Sequence, residues 1–142
     1  MVEEYHKAQK TGCEIENLQF HSEQALQPMI AILSVVAVML LNLRLAYRHP
    51  DADKRLATEV VAQIYEETLR SWRYKKERAP MTVKEYYFAL ARLGGHMNRK
   101  SDGPPGWLVL WRGWMKLHFL VAGAETVLRK RYSRQEKDEI RG

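Results

Sequence analysis

A run of apolar residues in the first third of the chain most limits what it can fold into. Residues 29–41 are apolar apart from Ser34, and Asn42 and Arg44 interrupt the run directly afterwards. A helix that crosses a bilayer needs about 20 apolar residues, so this shorter run favours a core helix over a membrane span. Because the run is apolar nearly all round, we expect the helix to be buried on several sides.

Turn and cap signals divide the rest of the chain into helices, with no strand pattern longer than a few residues. Pro50 disfavours helix at the residue before it, Gly94 ends a helix, and Thr82 with Glu85 has the spacing of a capping box. The sequence therefore predicts an all-α fold of about five helices, over residues 2–10, 22–48, 53–72, 82–93 and 107–132. Connectors are expected at 11–22, 73–80 and 94–106, and a frayed charged tail at 133–142.

Charge and cysteine content narrow the classes of protein to which the chain can belong. Its net charge is +6, with a pI near 9.5, which favours nucleic acid or another anionic partner. A single cysteine, Cys13, excludes an internal disulfide framework and a multi-cysteine metal site. The N-terminus is charged and has no early apolar region of the signal-peptide kind, so a cytoplasmic location is expected.

Acidic and basic residues share one face at the N-terminus. Glu3 and Lys10 lie seven residues apart, two turns along one helix face, and Lys7 and Lys10 could both touch phosphate. One carboxylate does not hold a catalytic metal pair, so Glu3 is an incomplete metal site or a solvated carboxylate at a helix N-terminus. His6, three residues after Glu3, is a weak second ligand. No other catalytic spacing is present, and no phosphate-binding glycine loop.

The last helical segment carries three tryptophans within eight residues and an apolar heptad register. With Trp107 at position a, the a and d positions are apolar for three heptads. The stripe either packs onto the second and fourth helical segments or crosses a dimer interface, where aromatic residues are enriched, and we expect one edge to do each. The predicted interface residues are Trp107, Leu110, Trp111, Trp114, Leu117 and Val121.

Two further basic segments are candidate contacts to nucleic acid. Arg99 and Lys100 lie in the glycine- and proline-rich loop at 94–106 and could contact phosphate. The same residues could equally be solvated parts of a connector. Residues 129–134 form a basic run that is either a nonspecific nucleic-acid contact or a solvated end, and that complements the negative end of its helix.

Three blocks in the right order resemble the C-terminal part of DDE transposases of the insertion-sequence-four family, the transposon-five type. Glu3 and Lys10, followed by Thr11-Gly12-Cys13, match the Glu-x6-Lys half of the family's Tyr-x2-Arg-x3-Glu-x6-Lys helix. Residues 28–45 resemble the apolar helix that follows it. Residues 91–95 and 110–114 resemble the dimerisation domain, so that the likeness covers about residues 2–128.

The resemblance implies an organisation and a role for the N-terminal residues. Residues 1–22 would be a remnant of an RNase-H-like catalytic domain, namely its last helix and a connector. Residues 23–132 would be the helical dimerisation domain, and 133–142 a charged tail. In the intact family the glutamate at the position of Glu3 helps to hold Mg²⁺, and the lysine at the position of Lys10 contacts DNA. The family's Tyr, Arg and two Asp residues have no counterpart in this chain.

These observations predict a dimerisation domain associated with DNA transposition in a bacterial cytoplasm. We expect the chain to be catalytically inactive alone, to need no cofactor, membrane or small-molecule substrate, and to pair with itself or with full-length transposase. Such a mixed dimer could inhibit transposition. The alternatives are a stand-alone basic helical DNA-binding module and, ranked well below it, an intact enzyme with an unusual metal site.

Overall fold

The computed structural model describes residues 3–4 and 23–142. Over these residues the fold is all-α, as predicted, and its only strand-like feature is a single bridge between Leu56 and Thr82. Glu3 and Glu4 are helical, while the rest of the predicted first helix lies outside the described residues. The four long helices are α1 (Glu23–Arg48), α2 (Gln63–Tyr74), α3 (Val83–Leu93) and α4 (Trp107–Arg141), with a short 3-10 helix at Ala57–Glu59.

The core is built around α3, which packs against each of the other three helices. Its tyrosines Tyr86 and Tyr87 and its Leu90 are almost completely buried. Tyr47 of α1 stacks on Tyr87 with ring centroids 4.1 Å apart and planes 1° from parallel. The aromatic rings therefore fix α1 against α3 as offset-stacked pairs do.

Two glycines allow α3 and α4 to cross with their backbones in contact. A Cβ atom on Gly113 would lie 2.1 Å from the carbonyl oxygen of Leu90, and one on Gly94 would lie 1.9 Å from that of Val109. No real Cβ atom approaches a carbonyl oxygen so closely. Because neither residue has a side chain, the start of α4 can pass over the end of α3.

The apolar helix α1 buries one face and exposes the other, so the expectation that it is buried on several sides is wrong. Leu33, Val36, Ala37, Leu40, Leu41 and Leu43 are buried. Ile32 and Val35 on the other side are 58% and 60% exposed, and Val38 and Met39 are also exposed. The physical reason is that, among residues 3–4 and 23–142, α1 has neighbours on one side only. Apolar composition predicts a preference for burial but does not supply the neighbours.

By length and composition α1 could also cross a membrane. The stretch Gln27–Arg48 has 22 helical residues and a mean hydropathy of 2.3, and a third of its most apolar part is buried within the fold. The helix continues through Asn42 and Arg44 to Arg48, as predicted. Because core helices of soluble proteins meet the same criteria, the absence of a membrane partner stays a prediction.

Residues 53–62 do not form the start of a helix, so the predicted segment 53–72 is wrong in its first half. They form turns and the 3-10 helix, and α2 begins only at Gln63. The backbone N–H of Ala57 donates to the carbonyl of Met81, and the N–H of Val83 donates to that of Arg55, both at 2.9 Å. These long-range hydrogen bonds satisfy backbone groups that a helix would otherwise have paired locally.

The predicted capping box at the start of α3 is confirmed. The backbone N–H of Glu85 donates to the Thr82 hydroxyl at 3.3 Å, and the N–H of Thr82 donates to the Glu85 carboxylate at 2.9 Å. Arg78 also donates to Glu85. Burial acts to raise the pKa of Glu85, but the hydrogen bonds from Thr82 and Arg78 outweigh it and hold the pKa below its ordinary value.

We expect the Glu85→Gln variant to lose stability at neutral pH but not in acid. A carboxyl group whose pKa is lowered by folding stabilises the protein above its unfolded pKa, and this contribution is lost as pH falls through the folded pKa. Urea unfolding of both chains at pH 7 and pH 3 measures the effect. A stability difference that is unchanged at pH 3 would contradict the assigned charge interaction.

Thr82→Ala should cost about 1 kcal/mol of folding stability at either pH.

Candidate interaction surfaces

One edge of α4 lies inside the chain's own core. Trp107, Leu110, Leu117 and Val121 are at most 4% exposed, and α4 packs on α2 and α3. These four residues therefore belong to the core of this fold, and their predicted contact with a second subunit stays a prediction. Their heptad register is explained by packing within the chain, which was the intramolecular edge expected from the sequence.

Trp111 and Trp114 lie in an aromatic row on the flank of α4 and are only partly buried. Their ring centroids are 5.9 Å apart, and Trp114 stacks on His118 at 5.0 Å. The Tyr65 hydroxyl of α2 lies 2.8 Å from Nδ1 of His118, and burial together with Glu125 raises the pKa of Tyr65. These two tryptophans are thus the predicted interface residues that still reach the surface.

The outward face of α1 is an apolar surface that sequence reasoning did not assign. Ile32, Val35, Met39 and Asn42 recur at spacings of three and four residues, which places them along one line of the helix, and all four are exposed. We call these four residues the α1 seam. Met39 and Trp114 line the same apolar pocket, about 50 Å³ in volume. The seam is therefore adjacent to the aromatic row of α4.

The acidic residues within the described part of the chain do not assemble a metal site. No group of three or more His, Cys, Asp or Glu side chains in residues 3–4 and 23–142 could hold a metal ion. Glu3 is exposed, and its neighbour Glu4 forms a 2.9 Å ion pair with Arg48 at the end of α1. This hydrogen bond with Arg48 lowers the pKa of Glu4. Lys7 and Lys10 lie outside the described residues, so their DNA contact stays a prediction.

The buried carboxylate of Glu66 has a structural role that the sequence did not reveal. It is 1% exposed, and it accepts a 2.8 Å hydrogen bond from the backbone N–H of Met81. Arg70 approaches its other oxygen at 3.7 Å. A buried carboxylate needs such partners. Glu66 therefore ties α2 to the strand-like segment that precedes α3, and it is not placed to act on a ligand.

The loop that carries Arg99 and Lys100 is held in a defined shape. Nδ1 of His96 accepts a hydrogen bond from the backbone N–H of Asn98 at 3.1 Å, and its Nε2 lies 3.1 Å from the carbonyl of Gly103. Because Nδ1 is an acceptor, Nε2 carries the proton and donates it to that carbonyl. Arg99 and Lys100 are exposed at the tip of this loop, and their contact with DNA stays a prediction.

No family model matches the chain. The resemblance to transposases therefore rests on the three sequence blocks alone.

Proposed function

We propose that the chain is a self-associating helical module, of the kind that pairs transposase subunits in DNA transposition, and that it has no catalytic activity by itself. The observation that carries the proposal is the exposed apolar face of α1. Where a folded chain exposes a contiguous apolar surface, that surface is more often an interaction site than a surface without function. The transposase part of the proposal is supported by the three sequence blocks and by the all-α fold.

The composition of the α1 seam suits a two-fold pair of identical chains. Ile32, Val35, Met39 and Asn42 occupy alternate a and d positions of a heptad pattern, the register through which helices pack knobs into holes. In an interface between two identical chains the same patch meets itself.

The partly buried tryptophans extend the proposed surface beyond α1. Met39 of the seam and Trp114 line one pocket, and Trp111 stacks beside Trp114. Large aromatic side chains with a partly exposed ring are enriched where proteins pair. The proposed interface thus keeps Trp111 and Trp114 from the sequence prediction and replaces the four buried residues of α4 with the α1 seam.

A charge exchange at Val35 tests this proposal. We expect Val35→Glu and Val35→Lys each to abolish co-purification of a tagged with an untagged copy, because like charges would face each other across the seam. Mixing the Glu and Lys variants should restore pairing, since opposite charges then meet. Thr126→Glu, an exposed substitution on α4, is the control and should pair as wild type does. Unchanged pairing of Val35→Glu with itself would contradict the proposed seam.

The link to transposition is tested separately by a pull-down against a full-length transposase that contains this C-terminal sequence. Wild-type chain should bind it, and Val35→Glu should not. Failure of wild type to bind, while it still pairs with itself, would leave a self-associating module and overturn its assignment to transposase pairing. The alternative, a stand-alone DNA-binding module acting through Arg99, Lys100 and the basic run 129–134, predicts steeply salt-dependent DNA affinity without self-association of the chain.

A further inference from the structure

The outward side of α4 carries cations near its start and along its last three turns. On a helix with 100° per residue, the six residues fall within one sector about 60° wide. They are separated by 3, 4 or 14 residues, each close to a whole number of turns. Every one of them is exposed. We call this set the basic stripe: Arg112, Lys116, Lys130, Arg134, Lys137 and Arg141.

The stripe faces away from the protein because the opposite side of the same helix is the core. Leu110, Leu117 and Val121 are buried on that opposite side. Beyond Ala124 every residue of α4 is exposed, so its last 17 residues project from the fold by about 26 Å at 1.5 Å per residue. From Arg112 to Arg141 the stripe is about 43 Å long.

The positive charge of the stripe is not neutralised within the described part of the chain. None of its six residues forms an ion pair there. Of the acids on α4, Glu125, Glu136 and Glu139 lie well outside the sector, and only Asp138 borders it, four residues after Arg134. A row of solvated cations of this length attracts a polyanion whose charges also lie in a row.

We propose that the basic stripe binds the phosphate backbone of double-stranded DNA, without reading its sequence. No proline interrupts the helix from Trp107 to Arg141, so its sequence does not predict a kink. The major groove of B-form DNA admits a helix. From Lys130 to Arg141 the stripe has about one cation per turn, and contacts of such cations with phosphates carry no sequence information. This inference does not depend on self-association through α1.

An anionic membrane surface fits the stripe less well. A helix that adsorbs to a membrane needs an apolar face to insert beside its cations. In residues 125–141 the exposed large apolar side chains are Val127, Leu128, Tyr132 and Ile140. At 100° per residue they lie about 50°, 150°, 170° and 90° from the middle of the stripe. The apolar side chains of the projecting part of α4 are therefore spread around the helix and do not form one apolar face beside the cations.

Binding of a 30-base-pair duplex to the full chain, measured over a range of salt concentrations, tests the proposal. Six phosphate contacts predict that the logarithm of affinity falls with the logarithm of salt at a slope of about −5, or about 10³-fold weaker binding at 200 than at 50 mM salt. The double variant Arg134→Gln/Lys137→Gln should reduce the slope by about 2. All these side chains are exposed, so far-UV circular dichroism should stay that of wild type.

The matched control is Arg129→Gln/Arg131→Gln, which removes the same charge from the same part of α4 but outside the stripe. The slope of affinity against salt for this variant should differ from the wild-type slope by less than about one. Equal effects of the two double variants would show attraction to net charge alone and would overturn the stripe. Binding to vesicles with anionic headgroups but not to the duplex would overturn the assignment to DNA.

Discussion

The Gly113→Ala variant is expected to be less stable than wild type by about 3 kcal/mol, the upper part of the range for overpacked cores. Its Cβ atom would lie 2.1 Å from the carbonyl oxygen of Leu90 and 3.3 Å from the backbone nitrogen of Gly94. These are backbone atoms, which cannot rotate away as a flexible side chain would. The crossing of α3 and α4 would have to open, and the free energy of unfolding measured in urea would fall.

A second glycine of the same helix gives the opposite expected result. Gly123 is exposed, and a Cβ atom there meets nothing within 4 Å. Since alanine favours helix over glycine by about 1 kcal/mol, Gly123→Ala should raise stability by about 0.5–1 kcal/mol. Both substitutions replace glycine with alanine, so the difference between their effects on stability measures the cost of opening the crossing of α3 and α4. Equal, small effects at both positions would contradict the close contact between the two backbones.

Leu117→Ala is expected to cost about 2–5 kcal/mol of folding stability, the range for truncating a fully buried leucine. Leu117 is fully buried where α4 packs on the rest of the fold. Phe119, two residues further along, is 68% exposed, and Phe119→Ala should change stability by less than about 0.5 kcal/mol. Urea unfolding, monitored by circular dichroism at one protein concentration, compares both variants with wild type.

The same pair of variants separates a core role from an interface role for the heptad residues of α4. If Leu117 were an interface residue, Leu117→Ala would leave the unfolding of isolated chains unchanged and weaken only their association. The fold predicts the opposite: Leu117→Ala should lower the stability of the isolated chain and leave association intact. Association should persist in Leu117→Ala under conditions where enough of the variant remains folded, and should be lost in Val35→Glu.

Local signals in the sequence predicted the parts of the fold that local physics decides. The capping box of Thr82 and Glu85 fixes the start of α3, because both hydrogen bonds lie within four residues of one another. Gly94 ends α3, and α4 begins at Trp107, as expected from the glycine- and proline-rich loop between them. The same local reasoning identified α1 and its end at Arg48 before Pro50.

One error arose where distant residues decide the structure, and another where local helix propensity outweighs mixed charge. The segment 53–62 has a helical apolar spacing, but its backbone pairs with residues 81–84. No local sequence pattern predicts this contact. The end of α4 was predicted at Tyr132 with a frayed tail, whereas the helix extends to Arg141. The arginine, glutamine, glutamate and lysine residues of that tail are good helix formers, and this propensity outweighs the mixed charge that favoured fraying.

The candidate surfaces were only partly predictable for a related reason. Heptad spacing in α4 identified an apolar stripe but not whether it faces the chain's own core or a second chain, and four of its six predicted residues face the core. The α1 seam and the basic stripe both have spacings that can be read from the sequence. Which side of each helix has no neighbour depends on the packing of α1 and α4 against α3.

Sedimentation equilibrium of the unmodified chain over a range of protein concentrations measures its self-association. We expect a mass that rises with concentration to twice the 16.7 kDa of one chain. The Val35→Glu chain should remain at the mass of one chain throughout. A wild-type mass of one chain at every concentration would overturn the proposed self-association.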